Sequence, residues 1–214
     1  MVDNVIFSPR ANLRFNPTQN INLRLSYSSG FRAPQAFDED MHIENVGGTV
    51  AMIERAKDLK EEKSQSFSVS ADMYHRFGAF QTNLLIEGFY TRLTDVFVLG
   101  KPYDRGDGIL VKTRSNGPGA KVMGLTLEGK VAYLSILQIQ AGLTLQRSRY
   151  DEPHKWHDDA PAEKKIFRTP DTYGYFTATC TPIKPLSIAL SGTYTGRMLV
   201  QRMDITAENA ELGK

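Results

Sequence analysis

Residues 26–48 read SYSSGFRAPQAFDEDMHIENVGG, and within them a strand stops and a long acidic segment begins. Just upstream, Ile21, Leu23, Leu25 and Tyr27 alternate with Asn22, Arg24, Ser26 and Ser28. That period of two marks a strand with one apolar and one polar face. Gly30 then frees the backbone to turn, and Pro34 fixes its own φ and steers Ala33 away from helix. Alternation resumes only near Ser64. A connection of that length is functional or disordered.

Working outward, Ala11, Leu13 and Phe15 alternate with Asn12 and Arg14, and the turn residues 16–20 (NPTQN) join this strand to the next as a hairpin. Beyond the long connection, Phe67, Val69, Ala71 and Met73 oppose Ser66, Ser68, Ser70 and Asp72, and a short turn at 76–79 leads into a strand over 80–92. Apolar residues occupy both faces of that strand, with Glu87 marking the polar side. Segments 96–100 (VFVLG) and 109–113 (ILVKT) read as a small hairpin rising from a second loop. Met123, Leu125, Leu127 and Val131 then oppose Gly124, Thr126, Glu128 and Lys130. After a turn at 133–135, Leu137, Ile139, Ala141, Leu143 and Leu145 oppose Gln138, Gln140, Gly142, Thr144 and Gln146. Residues 150–167 carry Pro153 and Pro161 and break the periodicity, giving a third long loop. A last hairpin spans 173–181 and 186–196, and residues 201–214 form a charged tail expected to be disordered.

Connections therefore alternate short and long along the chain. That predicts an all-β fold, an antiparallel up-and-down meander of about eight strands with the long loops on one side, as in a portion of a transmembrane β-barrel. Phe15, Tyr27, Tyr74, Phe77, Phe80, Tyr90, Tyr133 and Tyr150 lie near strand ends, where interfacial girdles would require them. The polar rows (Asn12, Arg14, Asn22, Arg24, Ser66, Ser68, Asp72, Glu128, Lys130, Gln138, Gln140, Thr144, Gln146) suit a watery lumen. A soluble antiparallel sheet with one wet face has the same pattern, so a stand-alone β-sandwich or lipocalin-like binding module is the alternative.

Two motifs flank the first long loop: YSSGFRAP at 27–34 and LKEEKS at 59–64. Together they resemble the TonB-dependent outer-membrane receptor family, in which a "YGxGFRAP"-like strand end precedes an "LKPEKS"-like strand start. The matching residues are Gly30, Phe31, Arg32, Ala33, Pro34, Leu59, Lys63 and Ser64; Glu61 stands where the family often has Pro, and Ser28 and Ser29 precede Gly30. The resemblance implies that residues 1–200 are part of a barrel of about 22 strands. It also implies a plug domain and a TonB contact elsewhere in a full-length protein, an outer-membrane lipid environment, and uptake of a scarce ligand such as iron-siderophore or cobalamin. An oligosaccharide importer of the same family differs in ligand only.

Composition narrows the chemistry. Net charge is +2 with 23% charged residues of both signs interspersed, so no basic field suited to nucleic acid is present. Cys180 is the single cysteine, which excludes an internal disulfide. No apolar run is long enough for a transmembrane helix, and a mean hydropathy of -0.35 is compatible with a barrel. The first residues lack the features of a secretory signal, which reads as a fragment or an unexported chain.

No nucleophile elbow, metalloprotease, P-loop or dinucleotide motif occurs, so no enzyme and no cofactor is expected. The mixed clusters at 38–44 (DEDMHIE) and 154–159 (HKWHDD) match no closed zinc spacing, and no metal site is expected. His42, Tyr103, Arg105, His154, Trp156 and His157 sit in the long loops and are the candidate contacts for a small-molecule ligand. Open sheet edges at both ends of such a fragment would promote self-association.

Overall fold

The computed structural model describes residues 5–34, 51–101, 103–106, 110–155, 161–203 and 210–213. In chain order the strands are β1 (Arg10–Thr18), β2 (Ile21–Arg32), β3 (Ala51–Arg55), β4 (Glu62–Phe77), β5 (Phe80–Thr94), β6 (Phe97–Leu99), β7 (Tyr103–Asp104) and β8 (Leu110–Asn116). They continue as β9 (Ala120–Tyr133), β10 (Leu137–His154), β11 (Glu163–Lys165), β12 (Thr172–Ile183), β13 (Leu186–Thr195), β14 (Val200–Met203) and β15 (Ala210–Gly213). The eight long strands form one antiparallel sheet in the order β1-β2-β4-β5-β9-β10-β12-β13, with β11 also on β10. It is an open up-and-down meander whose neighbours follow chain order, as expected from the alternating short and long connections. In the segment read as a charged tail, β14 and β15 pair antiparallel as a separate two-stranded sheet.

Register sorts the side chains into two faces, because cross-strand partners point the same way. Tyr27, Phe67, Tyr90 and Met123 are successive partners, and so are Phe77, Phe80 and Tyr133. These two rows lie on the apolar face, with Tyr27 and Phe67 rings 4.8 Å apart, Phe77 and Phe80 5.6 Å, and Phe80 and Tyr133 4.8 Å. Phe80 and Tyr90 both belong to β5; their separation is about 33 Å along the strand and about 25 Å in height once the strand tilts as barrel strands do. That height matches the apolar band of a membrane barrel.

Two expected girdle residues belong elsewhere. Tyr74 partners Asn83 on the polar face and its hydroxyl donates to Asp72 Oδ2 at 2.8 Å. Tyr150 shares the face of Ala120 and packs on the His154 ring at 5.7 Å. Even-numbered positions on β4 and β10 point away from the apolar rows. On β5, where sequence left the facing open, Glu87 partners Ser70 and Thr126 and so marks the polar face, which Leu85 and Phe89 share.

The apolar face has no cover. Leu13, Leu25, Val69, Leu145, Ile188 and Leu190 are each about half exposed, and among the described residues only Val111, Ala120 and Leu199 are buried hydrophobics. The accessible surface is 15368 Å², against about 9,900 Å² for a compact folded monomer of this mass. A sandwich or lipocalin-like module would instead bury this face in a core. No helix among the described residues is long and apolar enough to cross a membrane, which says nothing of a strand-built crossing.

Short turns close one end of the sheet. Phe77 and Phe80 partner across Gly78 and Ala79, with Gly78 at a φ of 60° that favours glycine there. At the other end the long connections carry further strands. The third, expected to be a long loop over 150–167, is in part strand: β10 continues to His154, and β11 pairs back on it through Arg149↔Lys165 and His154↔Glu163. Pro153 is tolerated near the end of β10, where the ladder is already thinning.

Candidate functional site

The candidate site is the small sheet built by the first two long connections over the ends of the main strands. β8 is its centre, with β6 antiparallel on one side and β3 parallel on the other, and β7 pairs β8 through Tyr103↔Val111 and Asp104↔Leu110. The expected hairpin of the second loop is present as β6–β8. The parallel strand from the first loop, Ala51↔Leu110 through Arg55↔Arg114, is the part that sequence did not predict. Val111 and Arg114 are buried at its centre, 0% and 5% exposed, so two separate loops share one small core.

The two motifs face each other across β2 and β4. Gly30 partners Ser64, Phe31 partners Lys63 and Arg32 partners Glu62. A Cβ on Gly30 would lie 2.9 Å from Ser64 Oγ, so this pair requires glycine or a displaced serine. Arg32 places its guanidinium 5.4 Å from the Phe97 ring centroid, and Glu62 Oε2 accepts a hydrogen bond from the Phe97 amide at 3.0 Å. Both contacts tie β6 of the loop sheet to the barrel strands. Ala33, Pro34 and Leu59 are half-buried beside them.

Asn116 completes the attachment. Its Oδ1 accepts from the Lys60 amide at 2.8 Å, and its Nδ2 donates to Lys60 O at 3.0 Å and Asp95 O at 2.8 Å. Asp95 itself adopts a φ of 55°, the left-handed conformation that Asp tolerates better than most residues. Glu61 pairs with Lys63 at 3.1 Å, and a backbone hydrogen bond together with that lysine holds its carboxyl below the ordinary carboxylate range.

Among the predicted ligand contacts, Tyr103 and Arg105 converge on Glu54 of β3. The tyrosine hydroxyl lies 3.5 Å from Glu54 Oε2 and Arg105 Nη1 lies 3.5 Å from Glu54 Oε1. His154 is on a different strand, half-buried against Tyr150. His42, Trp156 and His157 lie outside the described residues, as do most of the two mixed acidic clusters. Among the described residues no three His, Cys, Asp or Glu side chains gather as metal ligands.

On the polar face a network crosses three strands. Gln140 Nε2 donates to the Tyr175 hydroxyl at 2.6 Å, Tyr175 donates to Glu128 Oε2, and Lys130 pairs with Glu128 at 3.1 Å. Asn83 donates to Asp72 beside it. Tyr175 registers with Gly142 and its ring occupies the space that a Cβ there would take, 2.5 Å from Cε1. Phe89 covers Gly124 in the same way. Tyr175 and Glu54 were not singled out from sequence; the signal for Tyr175 was an aromatic on a polar-facing position opposite a glycine.

The sequence matches the family model described as "TonB dependent receptor-like, beta-barrel" over residues 2–202. The chain belongs to the TonB-dependent receptor family. Its sheet resembles the FrpB iron transporter from Neisseria meningitidis (F3-3 variant), at 17% identity and a TM-score of 0.60 over 90% of this chain and 27% of that one. It also resembles the ferric-catecholate import receptor Fiu from K12 E. coli, at 15% identity and a TM-score of 0.59 over 88% of this chain and 24% of that one. The siderophore receptor PirA from Pseudomonas aeruginosa gives 17% identity and a TM-score of 0.59 over 87% of this chain and 34% of that one. No curated protein sequence matches this chain. The chain thus spans about a quarter to a third of these solved TonB-dependent receptors, and at such identities the likeness is one of fold.

Proposed function

We propose that this TonB-dependent receptor segment forms part of the barrel wall of an outer-membrane importer for a scarce small ligand, with iron-siderophore complexes as the ligand class. Residues 1–200 are assigned to the partial barrel, its wall strands and the loop sheet over them together, and residues 201–214 to a charged tail. The single observation that carries this reading is the loop sheet, in which β3 from one long connection pairs with β8 from the next, over a wall whose one face is apolar and whose other is polar. Receptors that capture a ligand outside a membrane need such a layer, since loops on a rigid scaffold can recognise and close. Solved relatives named for iron or siderophore transport support the ligand class over cobalamin or oligosaccharide.

In this reading the apolar face meets lipid and the polar face meets water and a plug domain. Capture at the loop end, closure, and plug rearrangement on TonB engagement follow in turn, with plug and TonB contact supplied by the rest of a full-length receptor. β1 and β13 each present an edge that neighbouring strands of that barrel would pair.

Trp156 is the only tryptophan in the sequence and lies in the third long connection, which gives the test a reporter. Titration of the detergent-solubilised chain with ferric siderophores, cobalamin and oligosaccharides should quench its fluorescence saturably for the siderophores. Saturable quenching by cobalamin or sugar alone would reassign the ligand. No response to any of the three, with the fold intact, would remove the capture role from these loops.

A further inference from the structure

Four cations stand side by side on the apolar face at its long-connection end. Arg92 of β5 registers with Lys121 of β9, Lys121 with Arg149 of β10, and Arg149 with Lys165 of β11, so one row crosses four strands. Strand alternation puts the row on the face of Tyr90, Met123 and Arg147, two residues farther out, a height of about 5 Å. Like charges directly opposite one another weaken a sheet. Three such pairings in succession therefore oppose folding unless something anionic answers them.

Among the described residues, two carboxylates answer in part. Asp151 lies 3.2 Å from Arg92 and 3.8 Å from Lys121, and Asp171 lies 2.6 Å from Lys165. Glu152 alternates away from Asp151 on β10, whereas Glu163, two residues from Lys165 on β11, shares that lysine's face and partners His154 beyond an irregularity in β10. With Arg147 and Glu163 included, five cations face three carboxylates. Arg92 and Lys121 remain 47% and 40% exposed, and Arg147 and Arg149 are exposed as well.

We propose that this row is a docking site for the phosphate groups of an anionic membrane lipid. The inference rests on the reading that the apolar face meets lipid. The aromatic row through Tyr90 then marks the hydrocarbon boundary, and the cations stand just beyond it, at headgroup height. Arginine forks and lysine ammonium groups bind phosphate oxygens through charge-assisted hydrogen bonds. The lipid phosphates replace the missing counter-ions, and the acyl chains lie against Leu125 and Leu145 below, both of them exposed.

The test uses the full chain in neutral detergent micelles, with a bis-phosphorylated glycolipid as probe, its dephosphorylated form and inorganic phosphate as comparisons, and native mass spectrometry as readout. The double substitution Lys121→Gln/Arg149→Gln should weaken glycolipid binding about thirtyfold. Lys121→Arg/Arg149→Lys should retain it, as should Lys184→Gln in a turn at the far end. High salt should release the lipid from the unsubstituted chain, a readout that stands even if the double variant does not fold. Equal binding of the dephosphorylated lipid, or binding indifferent to salt, overturns the proposal. Displacement by inorganic phosphate at equal concentration reassigns the row to free phosphate and overturns the lipid docking. A chain that enters zwitterionic bilayers but shows no preference for the phosphorylated lipid loses this site and keeps its membrane reading; one that enters no bilayer loses both.

Discussion

Asn116 is one residue on which the attachment of the loop sheet depends, and Asn116→Ala is the perturbation that probes it. The substitution removes three hydrogen bonds at 2.8–3.0 Å, two to Lys60 and one to Asp95. The Lys60 groups are exposed and the Asp95 carbonyl is partly buried. Water therefore takes over the first two at small loss, and the third stays poorly served. At about 0.5–1.5 kcal/mol for a net hydrogen bond, discounted for exposure, the total is about 1–2 kcal/mol. That corresponds to an opening equilibrium raised about 5- to 30-fold. Hydrogen exchange should accelerate by that factor in the amides of 51–60 and 110–116, while the amides of β9 and β10 hold their rates, because local opening need not involve the wall. Asn116→Asp, which keeps the acceptor and loses the donor, should fall between. Unchanged exchange in 51–60, or an equal rise throughout β9 and β10, would refute the idea that this side chain fastens the loops independently of the wall.

Glu54→Ala removes an exposed pair with 3.5 Å contacts, so thermal unfolding should move by less than about 1 kcal/mol, and any larger loss would show that Tyr103 and Arg105 depend on it structurally. Gly142→Val sets a branched side chain against the Tyr175 ring and should cost about 1–3 kcal/mol in denaturant unfolding, part of it recovered in the double variant with Tyr175→Ala. Leu127→Arg, midway between the aromatic rows on the apolar face, should destabilise insertion into vesicles by about 2–4 kcal/mol, whereas Thr126→Arg on the polar face should cost much less; equal penalties would remove the assignment of faces.

The wall was legible because its information is local. Along β2, β9 and β10 the side-chain period of two survives for about eight residues or more, and one face is apolar at almost every position, so strand, facing and neighbour order all follow from the sequence. The pairing of YSSGFRAP with LKEEKS was visible as two motifs around a loop, though not as the register Gly30↔Ser64 that the structure supplies. Facing on β5 was open, since Leu84, Leu85, Ile86 and Phe89 are apolar on both sides; only the partners Ser70 and Thr126 settled Glu87.

The sequence by itself determined an antiparallel meander with an apolar and a polar face, because alternation is a property of neighbouring residues. Tertiary structure decided what forms at the loop end. β3 and β11 are five and three residues long, too short to carry a period, and they become strands only when a distant edge supplies their hydrogen bonds. The meeting of Glu54 with Arg105 and the row Arg92, Lys121, Arg149 and Lys165 likewise require register between segments far apart in the chain, which no local pattern encodes.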